Sequence, residues 1–341
     1  MQGHTVIQPM HRLRFFASAY VHFIISMLLL LACGLQTPAV MAQTYPTRPI
    51  RILVPYSAGG GVDFVIRILA QELSGELGQS VLVENKPGGS TNIAADTVAR
   101  SAPDGYTLFA ASRANAVNAT LFKNLSFDIL KDFTTISLLA EIPNILVISP
   151  KIPVTNVAEL IALAKKDPGK LTYASAGTAG STHLAGELFS HMAGVELVHV
   201  PYRGGSPAAV DLIAGQVDMY FATMPSVMNY VRTGKLRALA VTSLNRSKAE
   251  PGYLSLNELG LKGFRETSWI GLLAPAGTPE PIIQRLSQAS VSVLQRPEVR
   301  AKLLAQGAEA IGSTQQEFAA FLREDIANTA KLLKNAKIQM E

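Results

Sequence analysis

Cysteine is almost absent from this chain, and charged residues are scarce. Its 341 residues include a single cysteine, which excludes an internal disulfide and any cysteine-rich zinc or iron–sulfur site. Charged residues make up 16% of the sequence, below the usual quarter, and no lysine and arginine run of the nucleic-acid-binding type occurs. The 48% hydrophobic content excludes a disordered chain, and the length suggests about two domains.

The first 42 residues have the order of an export signal. A basic start with His11, Arg12 and Arg14 precedes an almost wholly apolar stretch over 15–32. Small residues then occupy the positions of a cleavage site that ends at Ala42. This order predicts a secretory signal peptide over residues 1–42, cleaved after Ala42, and a periplasmic location.

Two alternatives to cleavage stay open. An uncleaved membrane anchor would need a longer apolar core, because the stretch over 15–32 barely reaches the length that spans a bilayer. Residues 30–33 loosely resemble a lipidation motif, which would make Cys33 a lipid anchor.

After residue 42 the sequence alternates predicted strands and helices. The predicted strands are 49–55, 81–83, 106–111, 145–149, 171–175, 197–200, 217–221, 236–241 and 268–274, and the predicted helices are 62–77, 91–101, 157–166, 183–192, 207–214, 279–294, 297–304 and 315–335. The order predicts the α/β class, with a parallel, helix-covered sheet in each of two lobes.

The late strand at 268–274 would return the chain to the first lobe. The predicted domains are therefore the signal peptide 1–42, lobe 1 from residues 43–143 plus 268–341, and lobe 2 from residues 144–267. In such folds the ligand binds in the cleft between the lobes, at the carboxyl ends of the strands.

The loop between the first strand and the first helix is rich in glycine. Glycines let backbone N–H groups approach a ligand closely, and the free N–H groups of a helix start favour an anion. The pattern is neither a Rossmann fingerprint nor a P-loop, and a tight turn without a ligand is the alternative. The candidate ligand-binding residues in this loop are Tyr56, Ser57, Ala58, Gly59 and Gly60.

A second loop, between the strand at 171–175 and the next helix, offers glycines, hydroxyls and backbone donors in the other lobe. Neutral donors of this kind bind a carboxylate reversibly. Two such loops, one in each lobe, indicate an anion held between them. The candidates are Ala176, Gly177, Thr178, Gly180, Ser181, Thr182 and His183.

Two further loops follow strands. After the third strand come Ser112, Arg113 and Asn115, where Arg113 could pair with a ligand carboxylate or be a surface arginine. After the strand at 197–200 come Tyr202 and Arg203, either in the ligand site or in a structural turn.

Catalysis and metal binding find little support in the pattern. Ser181 and His183 lie at a helix start and not in a nucleophile elbow, and the spacing of His183, His191 and His199 fits no zinc motif. We expect no enzyme activity, no cofactor and no metal. A secreted hydrolase that uses Ser181 and His183 is a remote alternative.

Several motifs together resemble one family. They are Tyr45-Pro-Thr-Arg-Pro-Ile-Arg51, Pro55-Tyr-Ser-Ala-Gly-Gly-Gly-Val-Asp63, Val83-Glu-Asn-Lys-Pro-Gly-Gly89, Ala102-Pro-Asp-Gly-Tyr-Thr-Leu108, Tyr173-Ala-Ser-Ala-Gly177, His199-Val-Pro-Tyr-Arg-Gly-Gly205 and Asp211-Leu-Ile-Ala-Gly-Gln-Val-Asp218. In this order they resemble the Bug-type extracytoplasmic solute receptors, the substrate-binding proteins of tripartite tricarboxylate transporters.

The resemblance implies a two-lobed periplasmic binding protein of type 2, a Venus flytrap with an interlobe ligand cleft. It implies a small carboxylate ligand: a di- or tricarboxylate, an acidic amino acid or an aromatic acid. Main-chain groups and ordered waters of the loops at Tyr56–Gly60 and Ala176–His183 would hold it. Arg113 departs from the small or neutral residue expected at its position, which suggests an extra acidic group on the ligand.

The resemblance also bears on partners. It implies the membrane permease subunits of a tripartite transporter, with the receptor as a monomer that binds no nucleic acid. The alternative is a periplasmic sensor of the same fold that signals to a membrane kinase.

Overall fold

The computed structural model describes residues 45–122 and 124–335. The predicted signal peptide, its cleavage position and Cys33 lie outside the described residues. Within those residues, no helix has the length and apolarity needed to cross a membrane.

The first lobe begins with three parallel strands in the order β2–β1–β3. Its elements are β1 (Ile50–Val54), α1 (Gly61–Leu77), β2 (Val81–Asn85), a 3-10 turn (Gly89–Thr91), α2 (Asn92–Ala99), β3 (Thr107–Ser112) and α3 (Arg113–Leu121). Helix α1 buries the apolar face that its periodicity predicts, including Val65, Ile66 and Leu69. It ends at Gly78, whose φ of 67° is the left-handed cap conformation.

Strand β4 (Phe133–Ile148) passes from one lobe to the other and is 16 residues long. The sequence predicted a strand only at its carboxyl end. The second lobe follows with α4 (Val157–Lys166), β5 (Thr172–Ser175), α5 (Ser181–Ala193), β6 (Val198–Pro201), α6 (Gly205–Ala214), β7 (Met219–Thr223), α7 (Met224–Arg232) and β8 (Arg237–Val241).

The chain then returns to the first lobe. Strand β9 (Thr267–Pro275) lies between β3 and β4 and is antiparallel to both. The sheet is therefore mixed, whereas the sequence predicted a parallel sheet. The last elements are α8 (Glu280–Gln295), α9 (Pro297–Leu304), β10 (Glu309–Ala310) and α10 (Gln315–Asn335).

The sheet follows the order β2–β1–β3–β9–β4–β7–β5–β6, with a hydrophobic core on each face in each lobe. Alternate residues of a strand supply opposite faces, as Ile52 and Leu53 do in β1. Because β4 runs unbroken across the predicted boundary between residues 143 and 144, the domain limits stay a prediction.

Candidate ligand-binding site between the lobes

Three helices begin around one small cavity of about 30 Å³, called here the inner cavity. Its wall includes Gly60 to Val62 at the start of α1, Gly180 to Thr182 at the start of α5, and Gly205 at the start of α6. Tyr56, Ala176, Thr223 and Ser268 complete the wall. The carboxyl ends of strands from both lobes thus meet here.

The electrostatics of the inner cavity come from backbone groups. Each of α1, α5 and α6 has a glycine at its N-cap. Glycine has no side chain that could accept a capping hydrogen bond, so the helix starts are not capped by these residues. The first N–H groups of a helix have no partner within the helix, and the helix dipole adds positive potential there. In the part of the chain that the structure describes, every residue that lines the inner cavity is uncharged. The cavity therefore offers an anion oriented neutral donors.

Close packing explains glycine at two of these positions. A Cβ on Gly61 would lie 2.6 Å from Thr223 Oγ1, and one on Gly205 would lie 2.5 Å from Ser226 Oγ. Any side chain at Gly61 would therefore push the start of α1 away from the second lobe. Glycine at position 61 therefore lets the two lobes approach closely at the inner cavity.

Three hydrogen bonds join the lobes directly beside this cavity. The backbone N–H and the Oγ of Ser57 donate to the carbonyl oxygen of Arg203 at 3.1 and 2.9 Å. Ser206 Oγ donates to the carbonyl oxygen of Ala58 at 3.0 Å. The two lobes therefore contact each other directly beside the inner cavity.

A larger cavity of about 340 Å³, called here the outer cavity, adjoins the inner one. Tyr56 and Ala176 line both cavities. The residues 87–91 and Ile93 form one side of the outer cavity, and residues 176–178 and 201–203 form the other. Arg203 is the one formally charged residue among the described residues that line it.

Known proteins are similar to this chain in sequence and in fold. A family model described as "Tripartite tricarboxylate transporter family receptor" matches residues 65–338. The chain belongs to this family. It is 35% identical over 310 residues to Protein BugT of Bordetella pertussis, covering 90% of this chain and 95% of that protein.

Solved structures of the family have the same fold. Rpa4515 of R. palustris with adipate has a TM-score of 0.84 and 34% identity, covering 86% of this chain and 99% of that one. MatC (Rpa3494) from Rhodopseudomonas palustris with bound malate has a TM-score of 0.80 and 30% identity, with 85% and 100% covered. The predicted family and the two-lobed periplasmic binding fold are confirmed, and the chain is a solute-binding receptor of this type.

The cavity walls contain most of the residues that the sequence singled out in this receptor. Tyr56, Gly60, Ala176, Gly180, Ser181 and Thr182 line the inner cavity, and Gly177, Thr178, Tyr202 and Arg203 line the outer one. The Tyr202 hydroxyl is already engaged, because it donates to Asp211 Oδ2 at 2.7 Å. Ser57, Ala58, Gly59, Ser112, Arg113, Asn115 and His183 line neither cavity. None of these contacts with a ligand is tested by the geometry, so they stay predictions.

Asp63, in the first turn of α1, fixes the loop Tyr56–Gly60 by hydrogen bonds. It accepts hydrogen bonds from Gly59 N at 2.8 Å, Asn85 Nδ2 at 2.7 Å and Arg67 Nε at 2.9 Å. Burial would raise the pKa of Asp63, but these bonds hold it below its ordinary value. An ionised Asp63 thus fixes the loop without lining either cavity.

Tyr56 is held in place by Ser112, since the two hydroxyl oxygens lie 2.8 Å apart. Burial raises the pKa of Tyr56 to about 12, so the side chain is neutral near neutral pH. It therefore adds no charge to the boundary between the two cavities.

Arg113 has partners within the protein. Its Nε and Nη2 donate to Glu266 at 2.7 and 3.2 Å, and its Nη1 donates to Asp325 at 2.7 Å and to Thr329 at 3.0 Å. Burial alone would lower the pKa of Arg113, but the two carboxylates raise it above its usual value. Its charge is therefore matched internally. The expected contact with an acidic group on the ligand finds no support in this geometry.

His183 lies under the second loop and stays neutral. Its Nδ1 accepts a hydrogen bond from Ala179 N at 3.3 Å, and its ring stacks on His199 with centroids 3.9 Å apart. Burial and the neighbouring His199 lower the pKa of His183 to about 3, and burial lowers that of His199 to about 4. Ser181 Oγ faces Asn144 Oδ1 at 3.4 Å. The serine–histidine pair required by the hydrolase alternative is therefore not formed in the described structure.

Sequence reasoning missed several residues around the cavities. Gly205, Thr223, Ser268 and the residues 87–91 come from parts of the chain that only the fold brings together. Two signals were available, the glycine pairs Gly88–Gly89 and Gly204–Gly205, which both belong to the motifs quoted above. Asn144 Nδ2 and Tyr220 OH are buried without a hydrogen-bond partner among the described residues. Asn144 neighbours the inner cavity, because it pairs in register with Thr223 and faces Ser181.

Proposed function

We propose that this receptor captures a small carboxylate between its lobes and presents it to the membrane permease subunits of a tripartite transporter. The observation that carries the proposal is the meeting of three uncapped helix starts at the inner cavity. A helix N-terminus is a ready anion site, and three of them add their potentials. Among the described residues, no acidic residue lines either cavity to oppose an anion.

The sizes of the two cavities favour a carboxylate head with a longer body. A volume of about 30 Å³ exceeds the roughly 10–15 Å³ that one water requires, but it is too small for a whole organic ligand. The head would therefore lie in the inner cavity, while the rest of the ligand occupies the 340 Å³ of the outer cavity. Adipate and malate, named with the two Rhodopseudomonas proteins, are both small carboxylates and support this class.

Binding would act through the equilibrium between open and closed lobes. The three cross-lobe hydrogen bonds at Ser57 and Ser206 exist when the lobes are closed. A ligand that contacts both lobes binds the closed state more tightly and so increases its population. The closed form is then the species that a membrane partner would recognise.

A thermal-shift and calorimetry screen on the chain that starts at residue 43 tests the proposal. The panel pairs mono-, di- and tricarboxylates, acidic amino acids and aromatic acids with neutral amides of the same carbon skeleton. We expect at least one acid to raise the melting temperature while its amide does not, because binding to the native state stabilises it. Stabilisation by no acid, or equally by acid and amide, would reject the proposal.

Arg203 allows a finer choice among these acids. Arg203 is exposed and is the charged residue among the described residues that line the outer cavity, so it favours a ligand with a second acidic group. Arg203→Gln is expected to weaken a dicarboxylate by about twofold to fivefold, since exposed ion pairs contribute little, and to leave the matching monocarboxylate unchanged. Arg265→Gln, at an exposed arginine that lines neither cavity, is the control.

Export by the predicted signal peptide is part of the proposal. The mature chain would begin at Gln43. Mass spectrometry of the periplasmic product would show that N-terminus, whereas a lipid-modified product beginning at Cys33 would establish the lipid-anchor alternative instead.

A further inference from the structure

One side of the outer cavity is formed by a turn with an unusual backbone. Gly88, Gly89, Ser90 and Thr91 have φ angles of 124°, 55°, 51° and 77°. Residues other than glycine rarely adopt a positive φ, and a β-branched residue such as Thr91 does so least readily. Such backbone strain persists only where surrounding contacts hold it, and it is frequent at ligand sites.

Two asparagines of α3 hold this turn. Asn118 Nδ2 donates to the carbonyl oxygen of Ser90 at 2.6 Å and to Asn92 Oδ1 at 2.9 Å, and it lies 3.3 Å from Thr91 Oγ1. Asn115 Nδ2 donates to Thr91 Oγ1 at 2.9 Å. Both asparagines are buried, with 0% of Asn118 and 1% of Asn115 exposed. Their removal would leave the strained backbone without its side-chain supports.

The same network reaches the boundary of the inner cavity. Asn115 Oδ1 accepts a hydrogen bond from Ser112 N at 2.9 Å, and Ser112 Oγ lies 2.8 Å from the Tyr56 hydroxyl. Tyr56 lines both cavities, and residues 88–91 line the outer one. The two asparagines therefore connect the wall of the outer cavity to the residue that divides it from the inner cavity.

We propose that Asn115 and Asn118 are positioning residues for ligand length. They fix the turn Gly88–Thr91 as one wall of the outer cavity, and that wall selects which ligand bodies fit behind a carboxylate head. Neither side chain lines a cavity, so both act through the turn and not by direct contact. This inference rests on the proposed carboxylate function.

The test compares short and long dicarboxylates by calorimetry on Asn118→Leu, Thr91→Val and the unchanged receptor. Malonate is the short probe and adipate the long one. Both variants are expected to weaken adipate by about tenfold, as the loss of one or two hydrogen bonds predicts, and to leave malonate within about twofold. Equal losses for both probes, or no loss for adipate, would overturn the inference.

Matched variants separate positioning from general damage. Thr91→Ser retains the hydroxyl that accepts from Asn115 and Asn118, and is expected to lose less affinity for adipate than Thr91→Val. Thr97→Val makes the same change as Thr91→Val on α2, where Thr97 Oγ1 donates only to the carbonyl oxygen of Ile93, and is expected to have no effect. Loss of adipate selectivity in Thr97→Val would contradict the assignment.

Hydrogen exchange tests the same claim without a ligand. Asn118→Leu is expected to speed exchange of the amides of residues 88–92 while β3 stays protected. If the unchanged receptor bound no carboxylate, the proposed function would fail, and this measurement would still decide whether Asn118 holds the turn. Unchanged exchange over residues 88–92 would show that it does not.

Discussion

The backbone N–H of Ser57 donates a 3.1 Å hydrogen bond to the carbonyl oxygen of Arg203, and so joins the two lobes beside the ligand cleft. The Ser57 hydroxyl donates to the same oxygen at 2.9 Å. A residue predicted to contact ligand thus contacts the opposite lobe. Its effect on affinity should therefore depend on closure and not on the identity of the ligand.

Ser57→Ala removes the hydroxyl bond and keeps the backbone bond. Because the lost bond exists in the closed state, we expect the affinity for every carboxylate to fall by the same factor, roughly twofold to tenfold. Calorimetry with two ligands of different length measures this, and Ser80→Ala, at an exposed serine, is the control. A loss confined to one ligand would instead show direct contact with Ser57.

Gly61→Ala places a Cβ against Thr223 of the other lobe, 2.6 Å from its hydroxyl oxygen. The closed state must then open slightly, and we expect carboxylate affinity to fall by at least about tenfold with little change in the melting temperature. Gly75→Ala in the same helix has no atom within 4 Å of the new Cβ. It should bind normally and gain about 0.5–1 kcal/mol of stability. Equal binding by both variants would contradict the proposed closure.

Arg113→Met leaves the buried Glu266 carboxylate without its cation. We expect the free energy of unfolding to fall by about 3–5 kcal/mol, as measured by denaturant titration, and ligand preference to stay the same. Adding Glu266→Gln removes the unpaired charge and should recover part of the loss. Unchanged stability together with a selective loss of dicarboxylates would return Arg113 to the ligand site.

Acid should destabilise the receptor through the stacked pair His183 and His199. Their folded pKa values of about 3 and about 4 lie below the ordinary 6.5, so the unfolded state binds protons first as the pH falls. The free energy of unfolding should therefore decrease from about pH 6.5 towards pH 4, by up to about 1.4 kcal/mol per pH unit for each histidine.

Melting temperatures across this pH range test the histidine pair. The double variant His183→Gln and His199→Gln should reduce the slope, while His191→Gln, at an exposed histidine of α5, should not. An unchanged slope in the double variant would assign the acid sensitivity to other groups.

Local patterns predicted much of the fold, because local physics determines those elements. Helix α1 follows from its apolar periodicity and from Gly78, which takes the left-handed cap conformation. Helix α3 was missed because its buried side chains include Asn115 and Asn118, which have partners only in the distant turn at residues 88–91. Polar residues buried in this way give no amphipathic pattern to detect.

The candidate site likewise contains residues that local patterns predict and residues whose contacts depend on distant parts of the chain. The glycine loops at Tyr56–Gly60 and Ala176–Thr182 were predicted because each combines a strand end, glycines and a helix start, and residues of both loops line the inner cavity. The partner of Arg113, Glu266, lies 153 residues away along the chain, so no local pattern indicated this ion pair. A charged residue without an oppositely charged neighbour in the sequence can still form an ion pair with a residue that is distant along the chain.

The neutral lining of the inner cavity has a consequence for ligand release. Near neutral pH it contains no side chain that must gain or lose a proton when the ligand arrives. The charge that enters with a carboxylate can therefore leave with it, and no compensating ion needs to move. Release to a membrane partner then requires only that the lobes separate. Separation would move the helix starts of the two lobes apart, so that they no longer surround the anion.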